Sequence, residues 1–400
     1  MSMPKKQQLT TALIMGLALL SASSALSTDM YLPAMPGIAD DLNTTAPMVQ
    51  LTLSSFMAGM AIGQLIIGPL SDGLGRKRLL VAGAVAALIA SLVCALAPSI
   101  SVLVIARLVQ GLGGGACVVI ARAVVPDLAR GQVAAQAFAL LMIIQGIAPV
   151  VAPLIGGVLV GPFGWRGIFW ALVVVNLAQL LVATLQVKES NPVEERTGAG
   201  LRGMISNYAF VLRNPQFLAY VFTLAFSFGA MFAYISASPF VLQEQMGISV
   251  LLYSVIFGVN ACGLIIGGMI NRRLLRTIHP HRIMSFVLLS FTVLCLLLLV
   301  EVLFLHWTPL FLLLLFLLVS HIPMVMANTT ALGTEVVRPR SGSGSAILGF
   351  MQFGMAAFVS PLVGLGSDKA LTMALTMTVC ALLACACAYL AGRKGLPQMN

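Results

Sequence analysis

The stretch GPLSDGLGRKR, residues 68–78, decides the fold because it is a short charged turn between two apolar runs. The run before it, 46–69, and the run after it, 79–97, are each long enough as helices to cross the roughly 30 Å of hydrocarbon in a bilayer. The turn contains glycine, and its basic residues are typical of a loop on the cytoplasmic side of a membrane. The sequence therefore predicts a pair of antiparallel membrane-spanning helices here.

The same alternation of apolar runs and polar turns continues along the whole chain. Hydrophobic residues make up 60% of the sequence and charged residues 8%, against about 25% charged in an ordinary soluble domain. We therefore predict an all-α membrane protein whose twelve transmembrane helices are residues 9–36, 46–69, 79–97, 101–122, 134–160, 166–187, 216–240, 249–271, 282–305, 308–332, 342–364 and 370–392. The first run could pass for a signal peptide, but it continues past the small residues 21–25, so we interpret it as an uncleaved helix.

The longest polar interruption divides the predicted helices into two sets of six. It covers residues 188–215 and predicts a linker between an N-terminal bundle, 1–187, and a C-terminal bundle, 216–400. The segment AIGQLIIG at 61–68 is similar to ACGLIIGG at 261–268, each in the second helix of its half. Two pseudo-symmetric six-helix bundles with a central site between them are typical of alternating-access transporters.

The basic residues indicate the orientation of the chain. The net charge is +10, and 19 of the 22 Lys and Arg residues fall in alternate loops, which predicts that both termini are cytoplasmic. This placement favours contact with anionic lipid over binding of nucleic acid. The seven cysteines lie inside apolar runs without a CxxC pair, so we expect no disulfide and no metal site.

The opening turn resembles the cytoplasmic signature of the major facilitator superfamily, G-x-L-[AS]-D-R-x-G-R-[KR]. Gly73 replaces one arginine of that pattern. The resemblance implies a major facilitator fold and an inner gate in which Asp72 pairs with Arg76 and faces the positive end of the helix that begins near SGSGSA, 341–346. The expected gate residues are Gly68, Asp72, Gly75, Arg76 and Asp127.

Two further motifs support this resemblance. LVIARLVQGLGGGA, 103–116, resembles the fourth-span motif R-x-x-Q-G; its glycines also fit a dinucleotide fingerprint, but no strand precedes them, which excludes that interpretation. QGIAPVVAPLIGG, 145–157, is similar to the fifth-span antiporter motif, with Ala152 in place of a glycine. The family resemblance implies proton-driven export for a chain with this motif, here represented by Gly146, Pro149, Pro153, Gly156 and Gly157.

The segments DMYLPAMP at 29–36, GWRGIFW at 164–170 and FSFGAMFAYISASPF at 226–240 narrow the resemblance to Bcr/CflA-type drug exporters. That branch implies a monomeric, proton-coupled antiporter that exports drug-like small molecules of the phenicol or bicyclomycin type across the bacterial inner membrane. The proton gradient would be the energy source and no cofactor is expected. An exporter of an amino acid or a sugar is the alternative. A receptor or scaffold and a membrane enzyme are less favoured, because no nucleophile constellation, metal cluster or P-loop is visible.

An isolated acid in the first span suggests where a proton could be carried. Asp29 and Arg107 both lie about 10 Å from the same membrane surface at 1.5 Å per residue, so we expect them to pair. An acid that alternates between burial and a guanidinium partner would take up and release a proton. His321 is a second candidate. The alternatives are an Asp29 in the headgroup zone and a packing role for His321.

Substrate contacts are expected on the faces that the family turns inward. Ser227, Met231 and Tyr234 share one face of the seventh span because they follow at helical spacing. The full expected set is Tyr31, Gln110, Gln145, Ser227, Met231 and Tyr234.

Overall fold

The computed structural model describes residues 9–129, 131–191 and 200–393. These residues form helices and contain no β-strand. Lys5, Lys6, Arg130 and residues 192–199 of the linker, which entered the charge and domain predictions, lie outside the described ranges. The helices are α1 Thr11–Ser21, α2 Ser23–Asp29, α3 Met35–Asp41, α4 Ala46–Leu74, α5 Arg76–Ala95, α6 Ile100–Leu128, α7 Gly131–Leu181, α8 Gly200–Leu212, α9 Pro215–Pro239, α10 Val250–Leu274, α11 Pro280–Val300, α12 Thr308–Val336, α13 Ser341–Gly364 and α14 Lys369–Gly392.

Two of these elements differ from a single straight membrane span. The segment from α1 to α3 is one bent span, with an angle of 41° between Thr11–Ser21 and Ser23–Asp41. The apolar segment Gln132–Gln186 has 55 residues, about 80 Å of helix and more than twice the bilayer core. It is broken at Gly164, whose φ of 62° and ψ of −169° are not helical. With the bent span counted once and α7 twice, the described residues make the twelve predicted crossings.

The two halves, α1–α7 and α9–α14, use the related segments at 61–68 and 261–268 in the same way. A Cβ added to Gly63 would lie 3.3 Å from the Cα of Gly115 in α6. A Cβ added to Gly267 would collide with the carbonyl oxygen of Ser320 in α12. In each half, therefore, small residues let the second span pack closely on the fourth.

The halves touch at one end of the bundle, which we call the Asp41 end; the opposite end, with the charged turn of 68–78, is the Asp72 end. Near the Asp41 end, the side-chain amide of Gln50 in α4 donates to the carbonyl of Ser236 in α9 at 3.0 Å. The hydroxyl of Ser360 in α13 donates to the carbonyl of Gln50 at 3.3 Å. Gln243 donates to the carbonyl of Pro33 at 3.2 Å. These contacts close the Asp41 end.

A cavity of about 1000 Å³ opens at the Asp72 end. Its walls come from α4 and α6 in one half, from the start of α13 in the other, and from the linker helix α8. Tyr208 of α8 donates its hydroxyl to the carbonyl of Leu65 at 2.7 Å, which holds the linker helix against α4. The linker thus contains an ordered helix that the sequence analysis did not predict.

Candidate functional site

The charged turn at the Asp72 end forms the predicted ion pairs within its own half. Arg76 lies between Asp72, at 2.5 Å, and Asp127, at 3.2 Å. Gly75 makes the sharp reversal between α4 and α5, with a φ of 98° that a residue with a side chain rarely adopts. Gly68 packs against Val119 of α6. The cavity separates Asp72 from the start of α13, so the predicted contact across the gate is open in this structure.

The linker adds a residue to this network that the sequence analysis missed. The carboxylate of Glu189 accepts hydrogen bonds from the backbone N–H of Arg76 at 2.8 Å and of Lys77 at 3.3 Å. It therefore satisfies the first N–H groups of α5, as a capping residue does. Ser190 donates to Asp127 at 2.8 Å, and the side chain of Asn191 donates to the carbonyl of Asp72 at 2.9 Å. Residues 189–191 thus tie the linker to the gate.

Arg107 lies fully buried in the middle of the N-terminal half. Its guanidinium carbon is 4.4 Å from the ring centre of Phe56 and 4.8 Å from that of Tyr31, distances typical of cation–π contacts. One guanidinium nitrogen donates to the carbonyl of Ser27 at 3.0 Å and to the side chain of Gln110 at 2.7 Å. The other two nitrogens have no hydrogen-bond partner. Gly111 allows this arrangement, because a Cβ there would collide with the carbonyl oxygen of Phe56.

Asp29 lies at the boundary between the two halves and is 6% exposed. None of the described residues forms an ion pair with its carboxyl group, and none donates a hydrogen bond to it. The nearest polar groups across the boundary include the phenols of Tyr234 and Tyr253, which lie within its electrostatic range. Gly156 of the antiporter motif packs against the carbonyl of Met30, the residue after Asp29, where a Cβ would collide.

The predicted pair between Asp29 and Arg107 is therefore wrong for this structure. The two residues lie at similar depth, but successive residues of a helix turn by about 100°, so Ser27 and Asp29 point about 200° apart. Arg107 contacts the Ser27 side of the first span, whereas Asp29 faces the C-terminal half. Depth was a sound inference, and the direction of the side chain was not.

The residues predicted to contact a substrate are divided between the core and the boundary, and none of them lines the cavity. Tyr31 and Gln110 point into the N-terminal core, where Tyr31 bonds Thr52 at 2.6 Å and Gln110 donates to Ser91 at 2.7 Å. Ser227 is buried and donates to the carbonyl of Thr223 within α9. These three contacts are structural in this conformation.

The remaining predicted contacts lie nearer the boundary. Tyr234 stacks on Phe257 and accepts from Asn260 at 2.8 Å. Met231, one turn away in α9, is half-buried. Gln145 accepts a hydrogen bond from Arg122, a residue of the cavity wall, at 3.2 Å. Tyr234 and Gln145 are thus the predicted substrate residues best placed to meet a molecule that moves inward from the cavity.

His321 bonds its own helix. Its Nδ1 lies 2.7 Å from the carbonyl oxygen of Leu317, four residues earlier in α12. This is the packing role that the sequence analysis gave as the alternative.

The antiporter motif lies in one continuous arm of α7 that contains Pro149 and Pro153. Besides Gly156, its Gly157 approaches Ser254 of α10 so closely that a Cβ would collide. Gly146 has space around it, since a Cβ there would lie 4.0 Å from Ile265. The motif thus fits α7 between the first span and the C-terminal half.

Comparisons with known proteins agree with this architecture. The family model described as the Major Facilitator Superfamily matches residues 17–361. The chain is 35% identical over 380 residues, 94% of each chain, to an uncharacterized MFS-type transporter, YdgK, of Bacillus subtilis. It is 29% identical over 393 residues, 98% of each chain, to a bicyclomycin resistance protein homolog of Haemophilus influenzae. It is 33% identical over 233 residues, 58% of this chain and 59% of the relative, to the multidrug resistance protein MdtL of Escherichia coli.

Solved structures show the same fold at low sequence identity. A bacterial homolog of the human lysosomal transporter Spinster has a TM-score of 0.72 at 15% identity and covers 96% of this chain and 97% of its own. A D-xylose–proton symporter has a TM-score of 0.71 at 16% identity and covers 94% of this chain and 97% of its own. The chain belongs to the major facilitator superfamily, and it is a multi-pass membrane transporter and not an enzyme.

Proposed function

We propose that this protein exports drug-like small molecules from the bacterial cytoplasm in exchange for protons. The names of its relatives, for bicyclomycin and multidrug resistance, support the substrate class. The basic loops support a cytoplasmic position for the Asp72 end and for both termini. In this orientation the cavity opens to the cytoplasm, where an exporter takes up its substrate. The protein works as a monomer in the inner membrane, with the proton gradient as its energy source and no cofactor.

The observation that carries proton coupling is the buried, unpartnered carboxyl group of Asp29. An ionised carboxylate without a partner costs several kcal/mol to bury, so the neutral acid is the stable form in this conformation. A change that opens the Asp41 end would bring water to the boundary where Asp29 lies and allow the proton to leave or enter. Because Tyr234 and Tyr253 belong to the other half, the surroundings of Asp29 change whenever the halves move apart.

The test uses purified protein in liposomes with an imposed pH gradient. Parental protein should accumulate chloramphenicol or bicyclomycin against its concentration gradient, and ATP should have no effect. Asp29→Asn keeps the size of the neutral acid but cannot release a proton. It should exchange substrate between the two sides yet fail to accumulate it, whereas Asp29→Glu should retain part of the uphill activity.

Asp40→Asn is the matched control, since Asp40 is an exposed acid of α3 in the same bent span. It should transport like the parental protein. Uphill transport by Asp29→Asn at the parental rate and pH dependence would show that Asp29 does not carry the proton.

A further inference from the structure

We propose that Arg122 makes the cavity at the Asp72 end selective for neutral and anionic molecules over cationic ones. This inference rests on the proposed function, because it names the charge class of the exported molecule. It starts from the charges that face the cavity. Among the described residues the wall carries three arginines and one aspartate, namely Arg76, Arg122, Arg340 and Asp72.

Arg76 contributes little to the field in the cavity, because its charge is balanced. Asp72 and Asp127 lie within ion-pair distance on two sides of its guanidinium. Asp72, the acid of the wall, is therefore engaged in this cluster and is not available to balance a second arginine nearby.

Arg122 has no acid partner among the described residues. Its one hydrogen bond goes to the neutral side chain of Gln145 at 3.2 Å, and Gln145 in turn donates to the carbonyl of Ser21 at 3.4 Å. Arg122 lies six residues before the end of α6, which places its Cα about 9 Å inward from that end. A molecule that enters the cavity therefore passes an unbalanced positive charge before it reaches the boundary near Asp29.

The opposite wall reinforces this charge. It is the first turn of α13, which contains no acidic residue and presents the positive end of the helix dipole through Ser341, Ser343 and Ser345. Arg340, just before it, is fixed by stacking on Phe210, with 4.2 Å from the guanidinium carbon to the ring centre. A cation between these walls meets positive potential from both sides, and an anion meets attraction from both.

The direct test measures the binding of two xanthene dyes of matched size to the purified full chain by fluorescence polarisation. Rhodamine 123 is a cation, and fluorescein methyl ester is an anion at neutral pH. The parental protein should bind the anion more tightly. Arg122→Gln should lower the anion-to-cation affinity ratio about tenfold, the effect of one unit charge at intermediate distance in a partly hydrated site. Arg122→Lys should keep the ratio, and so should Arg282→Gln, which removes an exposed cation outside the cavity.

A second measurement needs no bound substrate. A cysteine placed at Ser345, which is exposed to the cavity, is modified with a sulfonate and with a trimethylammonium thiosulfonate reagent of similar size. The sulfonate should react faster relative to the cation than it does in the same chain with Arg122→Gln. Equal rate ratios in the two chains, or tighter binding of rhodamine 123 by the parental protein, would overturn the proposal.

The two proposals fail separately. Loss of proton-driven export together with an intact charge preference would refute the proposed function alone. Proton-driven export together with no charge preference, or with an Arg122→Gln variant that binds both dyes as the parental protein does, would refute the role of Arg122 alone.

Discussion

Gln50 offers a direct way to change the balance between the two ends of the transporter. Its side-chain amide is fully buried and donates across the boundary to the carbonyl of Ser236 at 3.0 Å. Gln50→Ala removes the donor and leaves that carbonyl unpaired, at a cost of about 1–3 kcal/mol while the Asp41 end is closed. When this end opens, water satisfies both groups. The substitution should therefore shift the equilibrium towards the open Asp41 end about 5- to 150-fold.

Distances between spin labels at Thr45 and Glu244 measure this shift, since both residues are exposed at the Asp41 end and belong to different halves. Gln50→Ala should add a population at longer distance. Gln179→Ala is the matched control, because Gln179 also donates to a buried carbonyl, that of Leu19 at 2.9 Å, but within the N-terminal half. It should lower thermal stability and leave the distances unchanged. The reasoning fails if Gln50→Ala keeps the parental distances, or if both variants change them equally.

Two further predictions concern the Asp72 end. Asp72→Asn removes a charge-assisted contact of Arg76 and the anion that faces α13, worth about 1.5–3 kcal/mol; it should favour the open Asp72 end, and unchanged cross-linking between this turn and the start of α13 would count against that. Glu189→Gln weakens the bonds to the backbone N–H groups of Arg76 and Lys77 by about 1 kcal/mol. Their hydrogen exchange should become about fivefold faster, while exchange in the middle of α5 stays constant; a uniform change along α5 would point to general destabilisation.

The number of spans and the local charges of the gate could be predicted from the sequence. Apolar runs of sufficient length define the crossings regardless of their neighbours, because a bilayer requires each span to satisfy its own backbone. Asp72 and Arg76 pair because they are four residues apart, a spacing that helical geometry and a tight turn both bring together. Such contacts depend on local sequence alone.

Other parts of the site depend on contacts between distant segments. Glu189 lies 113 residues from Arg76, and nothing in its own surroundings indicates which backbone it caps. Arg122 was grouped with the basic loops because it lies at the end of an apolar run, and only the cavity shows that it faces inward. The direction of Asp29 depends on how the bent first span packs against α7, which the sequence does not state.

The separation of Asp29 from Arg107 has a consequence for the proposed exchange. A buried ion pair between them would keep the carboxylate ionised in both conformations, since each charge would stabilise the other. Instead, the aromatic rings of Tyr31 and Phe56 stabilise the guanidinium within one half. The protonation of Asp29 is then left to the opposite half, whose Tyr234 faces it. In the proposed antiporter, movement of the halves therefore acts on the proton directly, and Arg107 positions the first span through Ser27 without fixing the charge of Asp29.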